Sequence, residues 1–144
     1  TEGGLDVVLN SMQVRPMVKT LQEAGVEVSL FIDPELEQVK EAHKLDARAI
    51  EINTAAFSEA TDARPREAAL RRVTDAARLA RKLGLHVHAG HGLDYTNVEG
   101  IAALTELTEL NIGHAIVARA VLVGMERAVR EMADAMRSAR AGRV

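Results

Sequence analysis

The sequence has 144 residues without a single cysteine or tryptophan, and aromatic residues make up only 2% of it. Without a thiol, the chain forms no disulfide, carries out no thiolate chemistry and binds no zinc or iron–sulfur cluster through cysteine. The sequence also lacks any apolar run near the ~18–20 residues that cross a membrane, and no signal-peptide pattern opens it. These absences lead us to expect a cytoplasmic protein.

A strong charge of either sign is absent as well. Lysine and arginine together number 18 and aspartate and glutamate number 21, which leaves a net charge of −3. This balance argues against nucleic acid or an anionic membrane surface as the main partner. Apolar residues make up 47% and charged residues 27% of the chain, a composition typical of a folded protein. The length suits one domain over residues 1–144 rather than two.

Short apolar segments alternate with longer amphipathic ones along the chain. The short segments are bounded by turn residues and predict strands at residues 26–32, 49–53, 85–89 and 107–112. Asp33 and Pro34 are expected to cap the helix after the first strand and to start its first turn. The longer segments repeat apolar residues every three or four positions, which predicts helices around residues 14–21, 36–42, 69–83, 98–104 and 121–132.

This alternation predicts a parallel sheet whose strands are joined by right-handed crossovers. Two α/β architectures fit the pattern. One is a small open sheet with helices on both faces, and the other is half of an eight-stranded (β/α) barrel, with four strand–helix units. A complete TIM barrel needs about 250 residues, so a chain of 144 residues cannot form one by itself.

Polar residues gather at the carboxyl ends of the four predicted strands. Loops and helix N-termini open at that edge of a parallel sheet, which is where such proteins bind their ligands. The sequence therefore predicts a ligand site at one rim of the sheet. The residues expected at this rim are Asp33, Glu51, Asn53, His88, His91, Asp94, Asn111 and His114.

Two glycine–histidine turns follow the last two predicted strands. Gly90-His91-Gly92 precedes a loop, and Gly113-His114 precedes the last predicted helix. Glycine lets an anion approach backbone N–H groups, and a helix N-terminus adds partial positive charge. Because a barrel commonly binds phosphate after its last two strands, we expect a phosphate site here. An exposed histidine beside a turn glycine is the alternative interpretation of each turn.

Glu51 lies between Ile50 and Ile52, in a strand that we expect to be buried. A buried carboxylate costs several kcal/mol unless it is paired or hydrogen-bonded. Glu51 is therefore either an acid, a base or a substrate anchor, or else one member of a structural ion pair.

A metal site is the competing interpretation of the histidines. The spacing of His86 and His88 puts both imidazoles on one face of a strand, as metal-dependent hydrolases use them. His91 follows closely, and Glu51 is available as a further ligand. The glycines beside His91 argue for a bound anion instead, so the preferred interpretation is a site without a metal ion.

Several stretches of the chain resemble one family, the pyridoxine 5′-phosphate synthases. They follow one another in the family's order and spacing, and they extend over nearly the whole chain. AGHGL and ELNIGHAI are the most specific parts of the match. The matching stretches are TEGGLDV (1–7), AGVEVSLFID (24–33), IEINT (50–54), AGHGLDYTNV (89–98) and ELNIGHAIVARAV (109–121).

The resemblance implies a (β/α) barrel with extra helices that assembles into octamers. It implies an enzyme that condenses 1-deoxy-D-xylulose 5-phosphate with 3-amino-2-oxopropyl phosphate. The products are pyridoxine 5′-phosphate, inorganic phosphate and water, in vitamin B6 biosynthesis, and no metal or organic cofactor takes part. Imine formation, dehydration and phosphate loss all require proton transfers near neutral pH, which suit histidine.

The resemblance also assigns roles to individual residues. His91 matches the family's proton-donating histidine, and Glu51 matches an active-site glutamate. Gly92 matches a substrate contact, and Gly113 and His114 match the phosphate-binding pair. These positions coincide with the rim predicted from the strand pattern.

The chain departs from the family pattern in three places. Where the family reads EIHTG, this chain has EINTA from Glu51, and where the family reads VNAGHG, it has VHAGHG from Val87. The family's first strands, with an Asn-x-Asp-His motif and a further catalytic histidine and glutamate, come before the position of Thr1. We therefore expect the C-terminal portion of a synthase, inactive by itself.

A half-barrel of this kind is expected to associate. Its end strands, at 26–32 and 107–112, would expose unpaired backbone groups, and residues such as Val26, Ile50 and Ile112 are expected to need cover on both faces. The expected ligands are phosphorylated small molecules. The expected protein partner is another copy of the chain, as a homo-oligomer, or a missing N-terminal half-barrel. The alternative is a non-catalytic half-barrel that only binds phosphate or assembles with a partner.

Overall fold

Four strands form one parallel sheet in the order of the sequence, β1-β2-β3-β4. The computed structural model describes residues 3–142, so both ends of the predicted domain, 1–2 and 143–144, lie outside the described residues. Each neighbouring pair of strands is parallel, which confirms the predicted parallel α/β fold. Each predicted strand overlaps an observed one: β1 (Ser29–Ile32), β2 (Ala49–Asn53), β3 (His86–Gly90) and β4 (Glu109–Asn111).

Seven helices accompany the sheet within residues 3–142. None of these helices is long and apolar enough to cross a membrane. A four-residue helix directly after β2 was not predicted, because it is too short to show a repeat of apolar residues. The helices are α1 (Ser11–Glu23), α2 (Leu36–Lys44), α3 (Ala55–Ser58), α4 (Ala63–Lys82), α5 (Val98–Ala102), α6 (His114–Val123) and α7 (Met125–Ala141).

The prediction of one last helix at residues 121–132 is wrong, because two helices share that segment. Gly124 separates α6 from α7. Its φ of 85° and ψ of 152° are not helical, so the first helix ends there. Two residues of the predicted apolar stripe, Val121 and Met125, are therefore exposed. Two others, Ala128 and Met132, are buried on α7.

The start of α2 also differs from the prediction. The helix begins at Leu36, with Glu35 rather than Asp33 at the N-cap position. Asp33 instead accepts hydrogen bonds from the N–H of Gly4 and from Nδ2 of Asn53, each at 2.9 Å. Its carboxylate therefore connects the ends of β1 and β2, and it does not cap a helix.

The two faces of the sheet differ in character. One face carries apolar side chains such as Ile32, Ile52 and Val87, which have no exposed surface and belong to a core shared with α2 and α4. The expectation of apolar strand faces on both sides is wrong, because polar residues alternate with apolar ones along the strands. The second face, called the open face below, carries the half-buried or exposed side chains of Ser29, Phe31, Glu51, His88, Glu109 and Asn111.

The two end strands differ in how their outer edges are covered. The N–H of Leu5 donates a 2.7 Å hydrogen bond to the carbonyl oxygen of Phe31, so the segment before α1 lies along β1. Gly4 lies so close to Ile32 and Asp33 that a side chain at this position would overlap their backbone. Among residues 3–142, no strand pairs with the outer edge of β4. Of the two free edges expected, β4 is therefore open and β1 is partly covered.

Candidate active site

A cavity of about 580 Å³ lies beyond the carboxyl ends of β3 and β4. Four of the candidate site residues line it, so the structure brings together two glycine–histidine turns that are far apart in the sequence. These four residues are His91, Gly92, Gly113 and His114, and the remaining lining consists of Leu93, Asp94, Asn111, Ile112 and Ala115.

His91 holds its place in the cavity wall through an unusual backbone conformation. Its φ is 82°, in the left-handed region that residues other than glycine rarely occupy, at a cost of about 1–3 kcal/mol. The buried Thr54 supports this turn, because its Oγ1 lies 2.7 Å from the carbonyl oxygens of both Gly90 and His91. The N–H of Thr54 also donates to the carbonyl oxygen of Gly90 over 2.8 Å. Strain held in place by buried hydrogen bonds is typical of functional sites.

The imidazole of His91 extends towards the first strand of the sheet. Its ring centroid lies 6.5 Å from that of Phe31, with an angle of 40° between the ring planes. Phe31 is the register partner of Glu51 on the neighbouring strand. The aromatic contact therefore keeps His91 above the open face, on the side where Glu51 lies.

Glu51 lies half-buried on the open face of β2. Its Oε2 accepts a 2.8 Å hydrogen bond from Nδ2 of Asn111, which lines the cavity. The bond crosses β3 above Gly90, where a Cβ atom would overlap Oε1 of Glu51. Among the residues that the structure describes, Glu51 therefore has a neutral amide as its hydrogen-bond partner and forms no ion pair.

Gly92 is required by the packing of α3 against the turn. Its φ is 73°, and a Cβ atom here would lie 2.7 Å from Cβ of Ser58. The hydroxyl of Ser58 also donates to the carbonyl oxygen of His91 over 3.3 Å. Thr54 and Ser58 thus support the turn although sequence reasoning missed both. Thr54 could have been identified from the sequence, because it directly follows the carboxyl end of β2, where site residues of a parallel sheet gather.

The carboxylate of Asp94 lines the cavity but is engaged by the loop that follows it. Its Oδ1 accepts hydrogen bonds from the N–H and the hydroxyl of Thr96, both at 2.7 Å, and from the N–H of Asn97 at 3.0 Å. Partial burial raises the pKa of Asp94, but these hydrogen bonds outweigh it and leave the pKa below its ordinary value. Asp94 is therefore ionised at neutral pH and orders the loop.

The expected phosphate site coincides with the N-terminus of α6. Gly113 is the N-cap residue and His114 the first helical residue, and no side chain caps this end. Nothing lies within 4 Å of the place where a Cβ of Gly113 would be, so the turn faces open space. The unpaired N–H groups and the positive end of the helix are available to an anion. The turn precedes α6, and not the last helix as expected.

Four residues expected at the rim are not part of the cavity lining, namely Asp33, Glu51, Asn53 and His88. Glu51 is connected to the lining only through Asn111. Asp33 and Asn53 bond to each other, and Oδ1 of Asn53 also accepts a 3.0 Å hydrogen bond from the N–H of Ala55. His88 lies on the open face beside Glu51, and its Nδ1 is 3.9 Å from Oε1 of Glu109. Asn53 and His88, which depart from the family pattern, are therefore neighbours of the site and not part of its wall.

The histidines considered as metal ligands do not converge. His86 is exposed at the amino end of β3, His91 lies beyond the carboxyl end, and His88 lies between them on the open face. Within residues 3–142, no three histidine, aspartate or glutamate side chains form a group that could hold a metal ion. The structure therefore gives the metal-dependent hydrolase no support.

The parallel sheet, the cavity at its carboxyl edge and the two glycine–histidine turns define an α/β protein with a rim site suited to a small anionic ligand. The profile of the family described as "Pyridoxal phosphate biosynthesis protein PdxJ" matches residues 1–138. The chain belongs to this family. The resemblance carried by the sequence motifs is thereby confirmed.

Curated proteins named pyridoxine 5′-phosphate synthase are similar to most of this chain. The protein of Syntrophobacter fumaroxidans is 53% identical over 132 residues, which cover 92% of this chain and 56% of the relative. The protein of Syntrophotalea carbinolica is 52% identical over 134 residues, which cover 93% of this chain and 56% of the relative. The protein of Geotalea uraniireducens is 50% identical over 139 residues, which cover 96% of this chain and 58% of the relative. The chain thus spans a little over half the length of these relatives.

Proposed function

We propose that this protein acts as a pyridoxine 5′-phosphate synthase. The reaction condenses 1-deoxy-D-xylulose 5-phosphate with 3-amino-2-oxopropyl phosphate and yields pyridoxine 5′-phosphate, inorganic phosphate and water. The observation that carries the proposal is the single cavity that unites His91 and Gly92 with Gly113 and His114. The relatives described above, which are about 50% identical to this chain over the aligned residues, are all named pyridoxine 5′-phosphate synthase. Their shared name supports the same reaction.

Anion binding is the first requirement of this reaction, because both substrates carry a phosphate group. The N-terminus of α6 supplies backbone N–H groups and partial positive charge at Gly113 and His114. The space beside Gly113 admits a phosphate close to the backbone. In the proposed function, this turn therefore holds the phosphate of a substrate.

Proton transfer is the second requirement. Loss of water during ring formation needs a proton on the departing oxygen, and histidine is suited to donate one near neutral pH. We assign this role to His91. The carboxylate of Glu51 can stabilise the positive charge that develops on a protonated imine nitrogen. Both groups lie at the carboxyl end of the sheet, which suits one substrate bound between them.

The proposed architecture of the active protein is a (β/α)₈ barrel, of which these four strands form one half. The strand order, the helices on one face and the polar open face on the other support it. The outer edge of β4 would then pair with a strand outside this segment. We propose that this cover comes from an N-terminal half-barrel or from another copy of the chain, in a homo-oligomer.

The test is an assay of the full-length protein with both phosphorylated substrates. Mass spectrometry is expected to detect pyridoxine 5′-phosphate, with inorganic phosphate released alongside it. Residues 1–144 expressed alone are expected to be inactive, and coexpression with a half-barrel carrying the family's first strands is expected to restore product formation. A full-length protein that binds inorganic phosphate but forms no product would instead be a non-catalytic phosphate-binding protein. The proposed location is the cytoplasm, which cell fractionation tests.

A further inference from the structure

The hydrogen bond between Asn111 and Glu51 joins two strands that are not neighbours in the sheet. Glu51 belongs to β2 and Asn111 to β4, and β3 runs between them. Register places Gly90 of β3 opposite Asn111, so the two side chains meet above a residue that has no side chain. A Cβ at Gly90 would overlap Oε1 of Glu51 and would lie 2.8 Å from the carbonyl oxygen of Asn111. The absence of a side chain at Gly90 is what makes this contact possible.

The bond engages one carboxylate oxygen and leaves the other above Gly90. Oε2 of Glu51 accepts from Nδ2 of Asn111, which fixes the rotation of the carboxylate plane. A neutral amide does this without cancelling the charge of the carboxylate, as a lysine or arginine would. His91 comes directly after Gly90, so the oriented carboxylate lies next to the turn that carries the candidate proton donor.

Stability of the fold is a weak explanation for this contact. Asn111 is exposed, and a hydrogen bond at an exposed position adds little to folding, because water offers an equivalent partner. The three strands are already connected by their backbone ladders. The main effect of the hydrogen bond is therefore to orient the carboxylate of Glu51 relative to the cavity.

We propose that Asn111 is a positioning residue, which holds the carboxylate of Glu51 in the orientation that catalysis requires. This inference rests on the proposed synthase function. Asn111 acts through Glu51 and transfers no proton itself. Gly90 has the complementary role of keeping the space between the two side chains free.

The experiment compares kcat and KM of the full-length enzyme and its variants with both phosphorylated substrates. Asn111→Asp replaces the N–H donor by a carboxylate of the same shape, which repels Glu51. Its kcat is expected to fall about 10-fold or more, with KM for each substrate within about threefold, because an interaction needed only in the transition state is lost. Asn111→Ala, which adds no charge, is expected to lower kcat in the same way, and it carries the test if Asn111→Asp fails to fold.

The double variant Glu51→Gln/Asn111→Asp separates orientation from stability. It can rebuild the hydrogen bond with donor and acceptor exchanged, so its thermal unfolding midpoint is expected to match the parent. Its kcat is expected to stay as low as that of Glu51→Gln alone, because Asn111 acts only through the carboxylate at position 51. Gln22→Glu is the matched control, since Gln22 donates to the carbonyl oxygen of Asp46 at the opposite end of the sheet.

The outcomes distinguish this inference from the proposed function. If the parent enzyme forms no pyridoxine 5′-phosphate, the proposed function is overturned and this inference with it. If the parent is active and Glu51→Gln lowers kcat, but Asn111→Asp and Asn111→Ala keep the parent's kcat, only the positioning role is overturned. The same conclusion follows if the double variant regains kcat together with its thermal stability.

Discussion

His91 shows how residues that perform no chemistry hold a functional side chain. The glycine–histidine motif alone identifies His91 as a candidate site residue. The positive φ of His91, the hydroxyl of Thr54 beneath it and the ring of Phe31 beside it come from segments that are distant in the sequence. The turn is thus stabilised by tertiary contacts that oppose its backbone strain.

Replacement of His91 by asparagine tests the proton-donor role. Asparagine tolerates a positive φ better than most residues, so the substitution removes the imidazole with little effect on the backbone. In the full-length enzyme, kcat is expected to fall ~10²-fold or more, the range of lost acid–base catalysis. Steady-state kinetics measures the effect, and His43→Asn, at an exposed position on α2, is the control. Turnover near that of the parent would remove His91 from the mechanism.

A side chain at Gly113 tests the phosphate site. Gly113→Val places two methyl groups in the open space at the N-terminus of α6, where the anion must approach the backbone. Affinity for inorganic phosphate, measured by calorimetry, is expected to fall about 10-fold or more, a change of about 1.4 kcal/mol. Ala118→Val adds the same two methyl groups to an exposed position further along α6 and is expected to bind normally. Equal affinity in both variants would place the anion elsewhere.

At the scale of elements, the junction of α6 and α7 is held by a charged cluster. Arg119 of α6 and Arg127 of α7 each donate a 2.8 Å hydrogen bond to the carboxylate of Glu131 on α7. These bonds, that of Arg119 first, lower the pKa of Glu131 to about 2. The cluster thus joins α6 to α7 across the break at Gly124, a break that the sequence pattern of one continuous helix did not reveal.

The lowered pKa of Glu131 predicts a loss of stability in acid. A depressed pKa contributes stability above the ordinary value of 4.5, and that contribution is lost as pH falls from 4.5 towards about 2. The thermal unfolding midpoint of the parent is therefore expected to fall more across this window than that of Glu131→Gln. Glu126→Gln, a change at an exposed carboxyl group of the same helix, is expected to follow the parent. The effect is modest, because the cluster is partly exposed to solvent.

At the scale of the whole molecule, the large apolar residues that are exposed within residues 3–142 lie on helices and in the segments before α1 and β1, and none lies in a strand. On α6, Val121 and Leu122 have 81% and 79% of their surface exposed, and Met12 on α1 has 86%. In the chain, α1 directly precedes β1 and α6 directly follows β4. We therefore expect association through these exposed helix faces and not through apolar strand faces.

Association of residues 1–144 is the prediction at this scale. Burial of apolar surface contributes ~25 cal/mol per Å², so the exposed faces favour self-association. Sedimentation is expected to show species heavier than the 15.6 kDa monomer, at micromolar concentration. Val121→Gln/Leu122→Gln is expected to shift the distribution towards monomer, with an unchanged unfolding midpoint because both residues are exposed. A parent that stays a monomer would contradict the prediction.

The sequence by itself determined the order and type of the main elements, because apolar periodicity depends on neighbours along the chain. It also determined the rim, since the carboxyl ends of parallel strands share one edge. Glu51, His91, Gly92, Gly113 and His114 were therefore identifiable as candidates.

Tertiary structure alone decided how these candidates are held. The contact of Asn111 with Glu51 depends on the register of three strands and on the empty space at Gly90. The support of His91 by Thr54 depends on the approach of two loops, and the contact of Arg119 with Glu131 depends on how α6 and α7 pack beyond Gly124. Such contacts join residues distant in sequence, and a pattern read along one segment carries no information about which distant side chains will meet it.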